Sequence, residues 1–354
     1  MSDLGHDLSC LVHVHSTYSD GTATVPELLG DARAAGADVL LLTDHDSLGA
    51  RRDGLEGWHD GVLLLVGDEV SPRAGHLLAF GIDHEIDHTS LDERGIAAAV
   101  REAGGISFAA HPFSDGGHLL VPAITRRIVP PHGWGALDDP ALTGIELWSV
   151  STDAAEHWRT PREALAWLRD PELLVDGPPP DHLAAWDRLC TRRRMPAIGG
   201  LDAHQPGARL RGRVRSPMPN RRLFGLLHTH LVCPRPPSGR LDEDRELVLG
   251  AMREGAAFLS CPHRGDARGA RFWAERDGGG TVAMGEQAAA GPAVLRVELP
   301  LAADVRIVRD GSPAASLTGT RSVSHRVDEP GAYRIEARVD GRLWLLGNPV
   351  YLRV

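Results

Sequence analysis

Short apolar runs that stop at a histidine or a carboxylate recur between residues 11 and 204: LVHVHS, DVLLLTDHD, GVLLLVGDE, GGISFAAHP, GIELWS and MPAIGGLDAH. Most are continuous rather than alternating, the pattern of parallel strands covered on both faces. Helical stretches lie between several of them, at 91–103 and 182–193. Thr24-Val-Pro-Glu27 has the form of a capping box opening a helix that ends near Gly36. Strand, polar tip and returning helix, repeated, predict an α/β barrel with its chemistry at the carboxyl ends of the strands. About six or seven such strands can be read, fewer than a regular eightfold barrel.

Two stretches fall outside the repeat, near 113–140 with VPPHGWG and near 158–180 ending in DGPPP, and both read as insertions over the barrel mouth. The helix DEDRELVLGAMREG closes the barrel domain, expected to span 1–268. From about 269 the texture changes to alternating runs such as AVLRVEL, DVRIVRDG and AYRIEARVDG, broken by Gly and Pro. A small all-β sandwich is expected over 269–354.

The strand ends collect His13, His15, Asp20, His45, Glu69, His76, His111, Asp202 and His204. Each alone has an ordinary reading, as a satisfied core histidine or a helix cap. A barrel brings strand ends round one rim, so the nine together predict one pocket. For His13 and His15 the alternation of a strand predicts a shared face, on which two imidazoles hold one metal.

The formal net charge of -10 disfavours a nucleic-acid partner or an anionic membrane surface. The opening MSDLGHDLSC has no apolar run and no later stretch is long enough to span a membrane, so a cytoplasmic protein is expected. Cys10, Cys190, Cys233 and Cys261 are scattered without a C-x-x-C pair, as reduced thiols would be.

The motifs HVHSTYSDG, LLLTDHDS, GDEV, GHLLAFG, AHPF and GLDAH, in this order over roughly residues 10–262, resemble the PHP family, the polymerase and histidinol phosphatase superfamily of metal-dependent hydrolases. The tail, with VRIVRDG and GNPVYLRV, is similar to the carbaryl-hydrolase-like branch, in which a β-sandwich follows the barrel. The resemblance implies a distorted (β/α)7 barrel with two or three divalent ions, Mn, Zn or Fe. It implies a first metal on His13, His15, Glu69 and Asp202. Glu69 then bridges to a second metal on His76 and His111, and a third takes Asp20, His45 and His204. Glu69, His111 and Asp202 become catalytic through a hydroxide shared by the ions.

Imidazole and carboxylate donors without thiolate fit those metals, and bound cations acidify water and polarise a scissile group. Three divalent ions with three carboxylates leave a charge of about +3, which favours an anionic transition state. The leading expectation is therefore a phosphoesterase acting on a small phosphate monoester or diester. The alternatives are a carboxyl ester, carbamate or amide hydrolase and a non-catalytic binding module. The expected partner is a small, phosphorylated molecule.

Around the nine, Asp44 and Asp46 are expected to orient ligand imidazoles or to cap. Glu146 and Trp148 at a strand end read as pocket lining or core. Arg213 and Arg215, in RLRGRVRSPMPNRR, read as a phosphate clamp or a solvated loop. His118, on the first insertion, reads as a proton donor to the leaving group. A second His-x-His, His228 and His230 in LLHTHLV, has no carboxylate following it and reads as a strand outside the metal shell.

Overall fold

A computed structural model describes residues 5–73, 75–121, 124–174 and 176–353, without the side chains of 119, 121, 124–128 and 213. By packing the chain divides into two units. One comprises Cys10–Pro178 with Gly199–His228; the other comprises Pro179–Ile198, Thr229–Val354 and the opening residues up to Ser9.

The first unit carries the strand ends. Strands β1 (His6–Val14), β2 (Val39–Leu42), β3 (Gly57–His59) and β4 (Val62–Val66) form one sheet in the order β1-β2-β4-β3. The pairs β1–β2 and β2–β4 are parallel, and β3 returns antiparallel on β4. VLLL of β2 and VLLLV of β4 are buried throughout, as continuous apolar runs require. The intervening helix Val25–Ala34 buries Val25, Leu28 and Ala32 on one face. Its capping box forms as read, with the Thr24 N–H donating to Glu27 Oε2 at 2.8 Å.

The chain continues through β5 (Asp68–Val70), β6 (His76–Phe80), β7 (Ile106–Ala110), the hairpin β8 (Gly117–Val121) and β9 (Ile124–Val129), β10 (Gly144–Ser149) and β11 (Ala197–Gly200). Apart from the hairpin, these make a second sheet in the order β11-β10-β7-β6-β5. Here β6 runs antiparallel to both neighbours, a departure from the expected parallel repeat. A smaller hairpin, β12 (Ala208–Leu210) and β13 (Arg213–Arg215), follows.

Continuous ladders do not close these strands into the expected seven-stranded barrel. Single backbone bonds link the sheet edges instead. Leu201 N–H donates to Val12 O at 2.9 Å and His15 N–H to Ala203 O at 3.0 Å, while Gly67 N–H donates to Leu42 O at 2.8 Å and Asp46 N–H to Glu69 O at 3.1 Å. The ladders are interrupted near the polar tips, where His13, Asp46 and Asp202 have φ of 62°, 47° and 49°, a left-handed backbone that bulges or ends a strand.

In the second unit the alternating runs are strands that pair antiparallel, except β18 with β23, which is parallel. β14 (His228–Cys233), β15 (Ala257–Ser260), β16 (Arg271–Arg276), β17 (Thr281–Ala283), β18 (Gln287–Ala289), β19 (Ala293–Arg309), β20 (Ser312–Val327), β21 (Gly331–Val339), β22 (Arg342–Gly347) and β23 (Val350–Arg353) are connected as β17-β16-β19-β21-β22-β15-β14, with β20 on β19 and β23 between β18 and β21. They bury Phe258, Phe272, Leu295, Ile307, Tyr333 and Trp344.

This division does not follow the expected boundary at 268, since residues 179–198 and 229–268 group with the C-terminal strands. Strand pairing of β15 on β22 accounts for 229–268, and buried polar contacts tie in 179–198. Arg334 pairs with Asp187 at 2.7 and 2.9 Å, and Asn348 Oδ1 and Nδ2 bond the backbone of Ala197 at 2.9 and 2.8 Å. None of the described helices is long and apolar enough to cross a membrane.

Candidate metal centre

His13 is the penultimate residue of β1, at a register shift between Val12 and Val14. His15 and Asp20 follow in the next turn, and His45 follows β2. Glu69 is the central residue of β5, His111 follows β7, and Asp202 and His204 follow β11. His76 opens β6 rather than ending it. Because β6 is antiparallel, its first residue pairs with Ala110, next to His111, and so reaches the same rim.

All nine residues converge. His13 Nε2 and His15 Nε2 lie 3.1 and 3.2 Å from Glu69 Oε2, and each lies 3.4 Å from Asp202 Oδ1. His45 Nδ1 is 3.1 Å from Glu69 Oε2, while His76 Nδ1 and His111 Nε2 face Glu69 Oε1 at 2.9 and 3.3 Å. Asp20 Oδ1 stands 3.1 Å from His204 Nε2 and 3.7 Å from His45 Nε2. The shared target of His13 and His15 is therefore real, but a bulge with a left-handed residue produces it rather than regular alternation.

The ligand atoms fall into three groups, each with its atoms within 4.8 Å of one another: His13, His15, Glu69 and Asp202; His45, Glu69 and His76; and His15, Asp20, His45 and His204. The first is the set the resemblance implies. The second differs from the implied set, with His45 in place of His111, which stands outside the three groups and faces Glu69 Oε1 at 3.3 Å; the third adds His15.

These residues suit a cation. His13 Nε2, both His15 ring nitrogens and Glu69 Oε2 are buried without a hydrogen-bond partner. Buried polar atoms are rarely left so unless something else binds them. Burial pushes the Glu69 carboxyl up, but His13, His111 and His15 outweigh it and hold it well below the usual carboxylate range. Burial is likewise overcome at Asp202 by His13 and His204, and at Asp20, where His204 brings the carboxyl down to about 2. Three ionised carboxylates among imidazoles, with no cysteine in the cluster, are a hard-to-borderline N/O donor set suited to Zn, Mn or Fe.

Surrounding groups fix the ligands. Glu146, 1% exposed, accepts from His13 Nδ1–H at 2.8 Å and from the His111 backbone N–H at 2.7 Å. It sits behind the ligands and does not line the cavity, which corrects its reading as pocket lining. Gly200 makes room for it, since a Cβ there would stand 1.8 Å from Glu146 Oε1. Gly21, beside Asp20, is needed for a similar reason: a Cβ would lie 2.5 Å from His15 O. Asp44 accepts from Ser16 N–H and Oγ–H and from Ser19 Oγ–H, at 2.6–2.7 Å, and so pins the turn that carries Asp20. Asp46 accepts from Ser71 N–H at 3.0 Å, and Ser71 Oγ lies 2.7 Å from His45 Nδ1. The Thr152 hydroxyl donates to Asp202 Oδ2.

A cavity of about 460 Å³ opens over the cluster, reaching Asp20, His45, Glu69, His76, His111 and Asp202. Val129, Pro130 and His132 from the first insertion and Trp158, Trp167 and Leu168 from the second also line it. The imidazole at the cavity wall is thus His132, whose ring centroid lies 4.1 Å from that of His76, and not His118, which is on β8 and does not line the cavity. Burial and the facing His76 and His111 imidazoles push His132 down to about 4. Trp148 is 3% exposed and belongs to the core. Arg215, on β13, is exposed and away from the cavity, and the side chain of Arg213 is outside the described residues. Sequence reasoning missed His132, Thr152, Trp158 and Trp167. The histidine in VPPHGWG was the one visible signal, but it stands in a loop with no periodicity to give it a direction.

No family model and no curated protein matches the chain. Among solved structures, it is similar to a two-domain protein from Bacteroides vulgatus containing a predicted PHP-like metal-dependent phosphoesterase, at 15% identity, covering 98% of this chain and 96% of that one with a TM-score of 0.45. A protein from Bifidobacterium adolescentis described as a metal-dependent phosphoesterase is similar at 18% identity over 55% of this chain and 87% of its own, with a TM-score of 0.31. An amidohydrolase from Chromobacterium violaceum with bound sulfate is similar at 17% identity over 56% and 88%, with a TM-score of 0.36.

Proposed function

We propose that this protein is a PHP-type metal-dependent hydrolase that cleaves a small phosphate monoester or diester. The observation that carries the reading is the convergence of nine imidazole and carboxylate side chains, several with buried and unpartnered ligand atoms and seven of them lining one cavity. The two sheets joined edge to edge by single backbone bonds support the distorted barrel of that family. Four buried, unbridged cysteines fit a reducing, cytoplasmic setting.

Two or three divalent ions held by the nine residues would supply an acidified water and polarise the scissile bond. The chain's own groups prepare that chemistry. Glu146 accepts a hydrogen bond from His13 Nδ1–H, which keeps that proton on Nδ1 and turns the Nε2 lone pair toward Glu69 and Asp202. Glu69 gathers three imidazoles at Oε2 and two at Oε1. Thr152 occupies Asp202 Oδ2 and leaves Oδ1 to the cluster. His132, whose ring lines the cavity beside His76, hydrogen-bonds the substrate.

Hydrolysis of a carboxyl ester, carbamate or amide is the second reading. It is favoured by the lack of arginine among the described residues lining the cavity, since phosphate sites commonly use one. The test is release of p-nitrophenol from matched aryl phosphate monoester, diester and N-methylcarbamate by protein stripped with chelator and reloaded with Mn or Zn. Phosphate turnover well above carbamate supports the proposal; the reverse order replaces it with carbonyl chemistry, and turnover indifferent to chelation removes the metal reading.

A further inference from the structure

Half of the cavity wall has nothing to do with holding an ion. Val129, Pro130, Trp158, Trp167, Leu168 and Met218 make it apolar. The two indoles lean on one another with centroids 5.5 Å apart at an angle of 59°. Trp167 is 6% exposed, and the Trp158 Nε1–H is buried without an acceptor. The chain contains no lysine, and no arginine stands among the described lining residues, so the described wall offers no permanent positive charge.

We infer that the substrate is an ester whose non-reacting half is a flat, uncharged, aromatic group, packed along Trp158 and Trp167. The inference rests on the hydrolase reading above and adds the substrate class to it. A ring buried there gains apolar area and edge-to-face contact with the indoles. A second phosphate or a hydroxyl-rich sugar would instead bring polar groups against Val129, Leu168 and Met218, where they lose water and find no partner. Trp158 and Trp167 are then specificity-determining residues, supplied by an insertion rather than by the strands that carry the metal ligands.

Calorimetric titration of the metal-loaded protein with benzylphosphonate and methylphosphonate tests this without turnover, because the two share an anionic head and differ by the ring. Benzylphosphonate is expected to bind at least tenfold more tightly, with the ratio falling several-fold in Trp158→Leu and Trp167→Leu. Trp158→Phe, which keeps a ring, retains most of the preference. Equal affinities in the wild-type protein overturn the inference whatever the variants do, and leave the phosphoesterase reading standing. If neither phosphonate binds, the comparison moves to turnover of benzyl and ethyl N-methylcarbamate. A benzyl preference there keeps the aromatic wall and removes the phosphate; equal turnover, or none, overturns the inference.

Discussion

At the end of β1, His13 and His15 turn ring nitrogens toward Glu69 Oε2 at 3.1 and 3.2 Å, and neither contact is made as a hydrogen bond. On β14 the same His-x-His spacing gives a different result. His228 Nε2–H donates to Phe224 O at 2.7 Å, and His230 is held between Asp7 Oδ1 at 2.8 Å and Ser260 Oγ at 2.9 Å. Both pairs are buried. The spacing is identical, so the distinction lies in what the fold supplies to each nitrogen. A structural histidine is given its partners by the chain, whereas His13 and His15 each keep an Nε2 without a hydrogen-bond partner and facing carboxylates. Asp7, His230 and Ser260 also line up in the order of an acid–base–nucleophile relay, yet Ser260 is 2% exposed and lines neither of the larger cavities, so their role is to satisfy one another.

The sharpest way to break this contrast is Glu69→Gln. It removes the charge that five imidazoles face, and turnover should fall on the order of 100- to 1,000-fold together with bound metal, read from initial rates and metal analysis. Full metal content and full activity in that variant would erase the distinction between the two histidine pairs. Thermal unfolding with and without metal comes next. A saturating ion at a hundred times its Kd stabilises by about 2.7 kcal/mol. His13→Ala should lose most of that gain, while His230→Ala should keep it. In exchange, His230→Ala should lower metal-free stability by about 2–4 kcal/mol, because Asp7 and Ser260 are left buried without it.

A smaller effect is expected at Glu146→Gln, which keeps the shape beside His13 but weakens its orientation. Metal affinity should drop about 10- to 100-fold with the fold intact, measured by competition with a chromogenic chelator; an unchanged affinity would return Glu146 to a purely structural role. The smallest effect concerns pH. Burial pushes the Asp7 carboxyl up, but the His230 hydrogen bond and charge, the Gly269 N–H and Arg271 bring it net below its ordinary 3.8. Its stabilisation is therefore complete above that value and lost as pH falls through the lower folded value. The stability gap between wild type and Asp7→Asn should close in acid and stay open at neutral pH, as followed by urea unfolding.

Much of the site was legible because its parts are local. An apolar run fixes a buried strand, and a polar residue beside the run stands near a strand end whatever sheet it joins, so the convergent residues could be read one motif at a time, although His76 opens its strand rather than following one. Glu146 was legible as a strand-end carboxylate but not as the group behind His13, since that depends on Gly200 of another strand leaving room for it. The antiparallel course of β6 was hidden because HLLAF reads the same in either direction, and direction is set by the loop before it. The domain boundary was misplaced for a similar reason. Nothing near Asp187 or Ala197 in the sequence announces that Arg334 and Asn348 will bond to them.

The sequence by itself determined the strand runs, the capping box at Thr24 and the residue types that stand at the strand tips, since these follow from periodicity and side-chain chemistry within a few residues. Only the tertiary structure decided which histidines are left without hydrogen-bond partners, that His132, Trp158 and Trp167 share the cavity with the cluster, and where one packed unit ends and the other begins. Those outcomes depend on contacts between residues far apart in the chain, and the physical quantity that fixes them, which polar atom is paired and which is not, exists only once the chain has folded.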